Sequence, residues 1–153
     1  YEGPATLVSV LRRCRGLLCL SLELGSLNDE VCCFIGNNKK LQQLNLCMAS
    51  GLSAEGLKAI LDGCRKLEQL NLSWTELSRP AVTQLCRFLP ETIQSLNLAG
   101  MKGAGLEKQD ARALSRCAPR LRELDISDAS NLCRDALDFL LGSGRLSVLH
   151  ASR

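Results

Sequence analysis

The sequence predicts an α/β right-handed solenoid. Short parallel strands would line the concave face of a curved horseshoe, with helices on the convex face. Three observations predict it. The first is a motif: Leu41-x-x-Leu44-x-Leu46 recurs as Leu17-x-x-Leu20-x-Leu22, Leu67-x-x-Leu70-x-Leu72, Ile93-x-x-Leu96-x-Leu98, Leu121-x-x-Leu124-x-Ile126 and Leu146-x-x-Leu149-x-Ala151. The second is its spacing. The first residues of successive motifs lie 24, 26, 26, 28 and 25 positions apart, which is the rhythm of leucine-rich repeats. The third is what lies between the motifs: a turn, a further Leu (Leu27, Leu52, Leu77, Leu106, Leu132), and then the signals that start a helix.

Each element follows from its residues. In a strand, side chains alternate, so positions four and six of the motif point inward and positions three, five and seven point to the concave face. Asn28, Ser53 and Ser78 are good N-cap residues. Asp29, Glu30 and Glu55 fall in the first helical turn, where negative charge suits the helix dipole. Pro80 is tolerated there too. Leu57, Ile60 and Leu61, like Val82, Leu85 and Cys86, show the i, i+3, i+4 spacing of a buried helical face. Residues 1–153 are therefore expected to be one leucine-rich repeat domain of about six repeats, with strands starting near 17, 41, 67, 93, 121 and 146. Six strands would span on the order of 25 Å. The chain opens within a helix-like segment and stops just after a strand, without the polar caps that close a solenoid, so it is expected to be part of a longer protein.

Composition narrows the function. The net charge is only +3, and aromatics make up 3% of the chain. That leaves no stacking platform for single-stranded nucleic acid. No apolar run approaches the roughly 20 residues of a membrane span, and no secretory signal opens the chain. Neither nucleic acid nor membrane is the expected partner. The nine cysteines are odd in number and contain no C-x-x-C pair. Cys14 and Cys64 sit three residues before the first Leu of a motif and Cys117 four before, so the slot recurs at the helix end. They read as reduced, small hydrophobes rather than metal ligands or nucleophiles. Reduced thiols suggest the nucleus and cytoplasm. The single histidine, His150, has no cysteine at a matching nearby position, and no Ser-His-Asp set, phosphate loop or H-E-x-x-H is present. The expectation is a non-catalytic chain with no metal and no cofactor.

The concave face can be written out. Position five reads Ser21, Asn45, Asn71, Asn97, Asp125, His150, and position three reads Cys19, Gln43, Gln69, Ser95, Glu123, Val148. Amides and hydroxyls supply both donors and acceptors, which suits a protein segment. Duplex DNA would want Lys and Arg along the face. Trp74, the only tryptophan, is at position eight, where it reads either as an interface anchor or as packing on the neighbouring turn. Asp128 holds the same position two strands on, Arg153 holds it in the last, and Lys102 follows the strand between Trp74 and Asp128. By themselves these charges read as a solvated edge. The stretch Ala99 to Leu106 has three glycines in six residues, so neither helix nor strand is expected there. It reads as an insertion loop, either a binding edge or a length variation without a role.

The runs Glu68-Gln-Leu-Asn-Leu-Ser-Trp74, Pro90 to Gly100 (PETIQSLNLAG) and Leu121 to Ser130 (LRELDISDAS) carry a resemblance. From about Val10 to Arg153 the chain resembles the C-terminal leucine-rich repeats of the F-box proteins, in the family of S-phase kinase-associated protein 2. The resemblance implies the substrate-recognition subunit of a Skp–cullin–F-box ubiquitin ligase. An F-box ahead of the repeats would bind the Skp adapter and so the cullin. The repeats would present a phosphorylated cell-cycle regulator, a cyclin-dependent kinase inhibitor, with a Cks-type accessory protein helping to read the phosphate. The family's rim contacts fall on Trp74, Lys102, Asp128 and Arg153, with Asn71, Asn97 and Asp125 on the floor beside them. Lys102 stands where the family favours arginine and loses the bidentate fork. The glycine-rich loop is one residue longer than the family's. The F-box and the C-terminal tail that folds over the concave face are expected outside this chain. The alternative is a leucine-rich-repeat scaffold or inhibitor with no link to ubiquitination.

Overall fold

The computed structural model describes residues 3–152. Helix α1 (Pro4–Leu11) is followed by β1 (Cys19–Ser21), α2 (Asp29–Gly36), β2 (Gln43–Asn45), α3 (Ala54–Gly63), β3 (Gln69–Asn71) and β4 (Glu76–Leu77). Then come α4 (Arg79–Phe88), β5 (Ser95–Asn97), β6 (Lys102–Gly103), α5 (Lys108–Cys117), β7 (Glu123–Asp125), α6 (Arg134–Gly142) and β8 (Val148–His150). Six of the strands form one parallel sheet in the order β1-β2-β3-β5-β7-β8. Like positions stand opposite one another throughout: Asn45 faces Asn71, Asn71 faces Asn97, and Asn97 faces Asp125. Each helix packs on the helix of the next repeat, from α1 to α6. This is the leucine-rich repeat solenoid that the motif spacing implies.

The leucines hold it together. Leu44, Leu46, Leu70, Leu72, Leu96, Leu98 and Leu124 are all buried, as are Leu41, Leu67 and Ile93 at the first position. Each such side chain contributes about 1.5–3 kcal/mol by leaving water. The strands begin two residues later than the motifs because the first Leu closes a turn. The N–H groups of Leu41, Leu67, Ile93 and Leu121 donate to the carbonyls of Asn38, Cys64, Pro90 and Ala118 at 3.1–3.2 Å. The expected caps form. Asn28 accepts from the Val31 N–H at 2.8 Å, Ser53 from Gly56 at 2.9 Å and Ser78 from Ala81 at 3.3 Å.

The glycine-rich stretch departs from expectation. Lys102–Gly103 is a strand, paired in parallel with Glu76–Leu77 in a second, two-stranded sheet at the edge of the main one. The glycines are there for close approach. A Cβ on Gly103 would lie 2.5 Å from the Leu77 carbonyl oxygen, and one on Gly105 would lie 1.5 Å from that of Asn131. A polar clasp fixes the segment from behind. Arg79 donates to Asp110 Oδ2 at 2.6 Å and to the Gly105 carbonyl at 2.9 Å. Asp110, only 4% exposed, also accepts from the Glu107 N–H at 2.8 Å. A buried carboxylate survives because it is paired and hydrogen-bonded.

Candidate protein-binding surface

Two rows of side chains cross the concave side. The inner row is position five. Asn45, Asn71, Asn97 and Asp125 each turn a side-chain oxygen onto the N–H two residues ahead, at Cys47, Ser73, Ala99 and Ser127, over 2.9–3.0 Å. These are Asx turns, and they steer the chain out of the strand. The face is therefore less versatile than its composition implies. One oxygen of each group is taken by its own backbone. Among the described residues, the Nδ2 groups of Asn71 and Asn97 and the second oxygen of Asp125 have no hydrogen-bond partner. Asn45 Nδ2 already donates to Glu23 Oε1 at 2.6 Å. The open trough over this floor measures about 610 Å³ and is lined by Gln43, Gln69, Asn71 and Asn97 among others.

The outer row is position eight. Leu24, Met48, Trp74, Gly100 and Asp128 have φ values of 58°, 56°, 59°, 62° and 54°. In each case the next residue's N–H donates back to position six, as Ala49 does to Leu46 at 3.0 Å. Positive φ at the third residue of such a turn is the type II pattern. The position-eight N–H groups continue the sheet's ladder: Met48 donates to Ser73, Trp74 to Ala99 and Gly100 to Ser127, at 2.7–2.8 Å. Glycine suits this slot, whereas a larger residue costs about 1–2 kcal/mol in the left-handed region. Three of the five described residues are nevertheless large and apolar. Leu24 is 70% exposed, Met48 52% and Trp74 44%. The cost of the left-handed backbone is thus not offset by full burial of these side chains.

The rim residues named from sequence are not all brought together. Trp74 lies over Gly100, where an added Cβ would meet the indole at 2.3 Å. Its inner face thus packs on the neighbouring turn and its outer face stays open. Lys102 is on β6 opposite Glu76. With Met48 and Trp74 it lines a groove of about 810 Å³ that also includes Glu55, Leu77 and Pro80. Asp128 is in the position-eight row but not on that groove. Arg153 falls outside the described residues. Lys102 and Asp128 enter no ion pair among the described residues, so both charges face solvent. Sequence reasoning did not single out Leu24 or Met48. The count that placed Trp74 and Asp128 at position eight would have found them.

Three of the nine thiols are packing groups; of the helix-end slot only Cys64 is fully buried, while Cys14 and Cys117 are half-buried. Cys32, Cys64 and Cys86 are buried, and all nine cysteines are free. Burial, helped by nearby Asp29, pushes Cys32 up to about 12. Burial raises Cys64 to about 11 against an opposing pull from Lys39. Cys86 is raised by burial and then by Asp110. A nucleophilic cysteine needs the reverse shift. Among the described residues, no three His, Cys, Asp or Glu side chains gather to hold a metal, and no helix is long and apolar enough to cross a membrane.

Comparison with known proteins agrees with this geometry. The C-terminal domain of tropomodulin from Caenorhabditis elegans superposes with a TM-score of 0.62 at 18% identity, over 91% of this chain and 89% of that one. That likeness is one of fold. The family described as the SKP2 LRR domain matches residues 3–153. The chain therefore belongs to the SKP2 LRR domain family, whose leucine-rich repeats form a protein-interaction scaffold.

Proposed function

We propose that this domain is the substrate-reading part of a Skp–cullin–F-box ubiquitin ligase receptor and is itself non-catalytic. It would hold a phosphorylated cell-cycle regulator, of the cyclin-dependent kinase inhibitor class, together with a Cks-type accessory protein. An F-box in the full-length protein would reach the Skp adapter and the cullin, in the nucleus and cytoplasm. Its contribution would be effective concentration: a substrate lysine is kept near the ligase without any bond made by the receptor. One observation carries the reading. Trp74, Lys102 and Asp128 stand solvent-facing on the concave rim of an SKP2-type domain, beside the free donors of Asn71 and Asn97 and the free oxygen of Asp125. Arg153 belongs to the same proposed site.

Calorimetric titration of the intact protein with a Cks-type protein and a phosphorylated inhibitor peptide tests it. Trp74→Ala and Asp128→Lys are each expected to weaken binding by about tenfold or more while leaving the fold intact. Parent-like affinity in both variants would refute the rim assignment. Failure of the full-length protein to co-purify with a Skp adapter would refute the ligase role and leave an interaction scaffold.

A further inference from the structure

The helices and the turns that follow them carry a second charged feature. Arg112 and Arg116 stand one turn apart on α5, Arg87 lies in the last turn of α4, and Arg145 follows α6. Together they line two adjoining clefts. One, of about 570 Å³, has Arg112, Arg116 and Arg145 beside Pro119 and Phe139. The other, of about 400 Å³, has Arg87, Arg112 and Arg116 beside Gln109. None of the four arginines enters an ion pair among the described residues. Two are held in place without being neutralised. The Arg112 guanidinium sits 5.9 Å from the centre of the Phe139 ring, and Arg145 donates to the Ser115 carbonyl at 2.9 Å. Asp135 and Asp138 on α6 and Glu91 after α4 make no ion pair with them, and Glu107 at the start of α5 is engaged by Arg79. A cation in the last turn complements a helix dipole, which accounts for Arg87 and Arg116. It does not account for Arg112 or Arg145.

We infer that these clefts are a docking site for a phosphorylated segment of a partner protein, separate from the concave rim and independent of the ligase reading. Four unopposed guanidinium groups repel one another, and a phosphate of nearly two negative charges relieves that repulsion. The guanidinium fork bonds phosphate oxygens in pairs, which lysine cannot do. Arginine clusters are a recurrent way to read phosphorylated segments. The size of the patch favours a peptide over a duplex, which would engage about 6–10 phosphates. Phe139 and Pro119 supply an apolar wall for neighbouring side chains, and a lipid headgroup has no use for one.

The test is fluorescence anisotropy of the full chain with a labelled pool of degenerate peptides built around a fixed phosphoserine. The same pool with serine is the control, as are vesicles of phosphatidylcholine and phosphatidylserine. The phosphorylated pool is expected to bind about tenfold or more tightly than the control pool. The double variant Arg112→Glu/Arg116→Glu should abolish that preference, and Arg112→Lys should reduce it. The neutral variant Arg112→Gln gives the same reading if the double charge reversal unfolds. Equal binding of the two pools, a preference that survives loss of Arg112, or tighter binding to the vesicles than to the phosphorylated pool would each overturn the inference.

Discussion

Two rows of side chains, three residues apart in every repeat, cross the same sheet and are used in opposite ways. In the inner row, side chains serve the backbone: Asn45, Asn71, Asn97 and Asp125 each hold the N–H two residues ahead. In the outer row, the backbone holds itself. Its N–H groups bond along the ladder to the next repeat, so the side chains of Leu24, Met48, Trp74 and Asp128 carry no such duty, and Gly100 has none. Where this turn forms, the inner row holds only Asn and Asp, with Ser21 and His150 at its two ends, whereas the outer row runs from leucine to aspartate. Where the main chain does not need the side chain, composition is free to follow a partner. The difference teaches that the floor mainly shapes the curve, and that the rim leaves its side chains free for the partner contacts proposed above.

Substitutions can break or sharpen that contrast. The largest effect should come from beneath both rows. Leu70→Asp buries an isolated carboxylate at a cost of several kcal/mol and is expected to abolish the thermal transition; a normal melt would remove the inward assignment of position four. Asp110→Ala should come next, at about 1–3 kcal/mol, discounted because the Arg79 side chain is 36% exposed. Hydrogen exchange should then rise around Lys102–Ala104, where the edge strand loses its clasp. Asn71→Ala is expected to cost about 1 kcal/mol in urea denaturation by releasing the Ser73 N–H. Asn71→Asp should be close to neutral, since Asp125 already performs that task. In the outer row, Met48→Gly should lie within about 1 kcal/mol of the parent and toward greater stability, because left-handed strain is relieved. If Met48→Gly destabilised as much as Asn71→Ala, the two rows would not differ in kind.

The smallest effect at neutral pH concerns the thiols. Cys32 and Cys64 are raised from the ordinary 9.0 to about 12 and about 11, and Cys86 is raised as well. Below pH 9 these thiols are protonated in both the folded and the unfolded chain, and their packing contribution is complete. Above pH 9 the unfolded chain releases their protons first, so it binds fewer and stability falls as pH rises. Urea midpoints should be flat from pH 7 to 8.5 with respect to these groups and decline above 9, less steeply in Cys32→Ala. In the native protein, Cys19, Cys33 and Cys133 are exposed and should react with a thiol reagent well before the buried three.

Much of this was legible in the sequence because hydrophobic spacing is a local signal. The leucine rhythm placed all six main-sheet strands, and Asn28, Ser53 and Ser78 announced three helix starts. What escaped depends on pairing between distant residues. Arg79 and Asp110 are 31 positions apart, and nothing near either names the other. The strand at Lys102–Gly103 exists because Glu76–Leu77 lies beside it, so its glycines read as loop when viewed alone. For the site, counting positions found Trp74 and Asp128 but not the turn geometry that exposes Leu24 and Met48 with them. The asparagines were correctly placed on the concave face. The oxygen of each was already engaged by the main chain, which alternation of side chains does not reveal.

The division between the rows is tested most directly at Trp74, by measuring stability and affinity on one variant. Trp74→Gly in the intact protein should melt close to the parent temperature, because relief of left-handed strain offsets the lost packing of the inner indole face, and it should bind a Cks-type protein with a phosphorylated inhibitor peptide about tenfold or more weakly. A lower melting temperature with unchanged affinity would contradict it, showing that the indole serves the fold and not the partner.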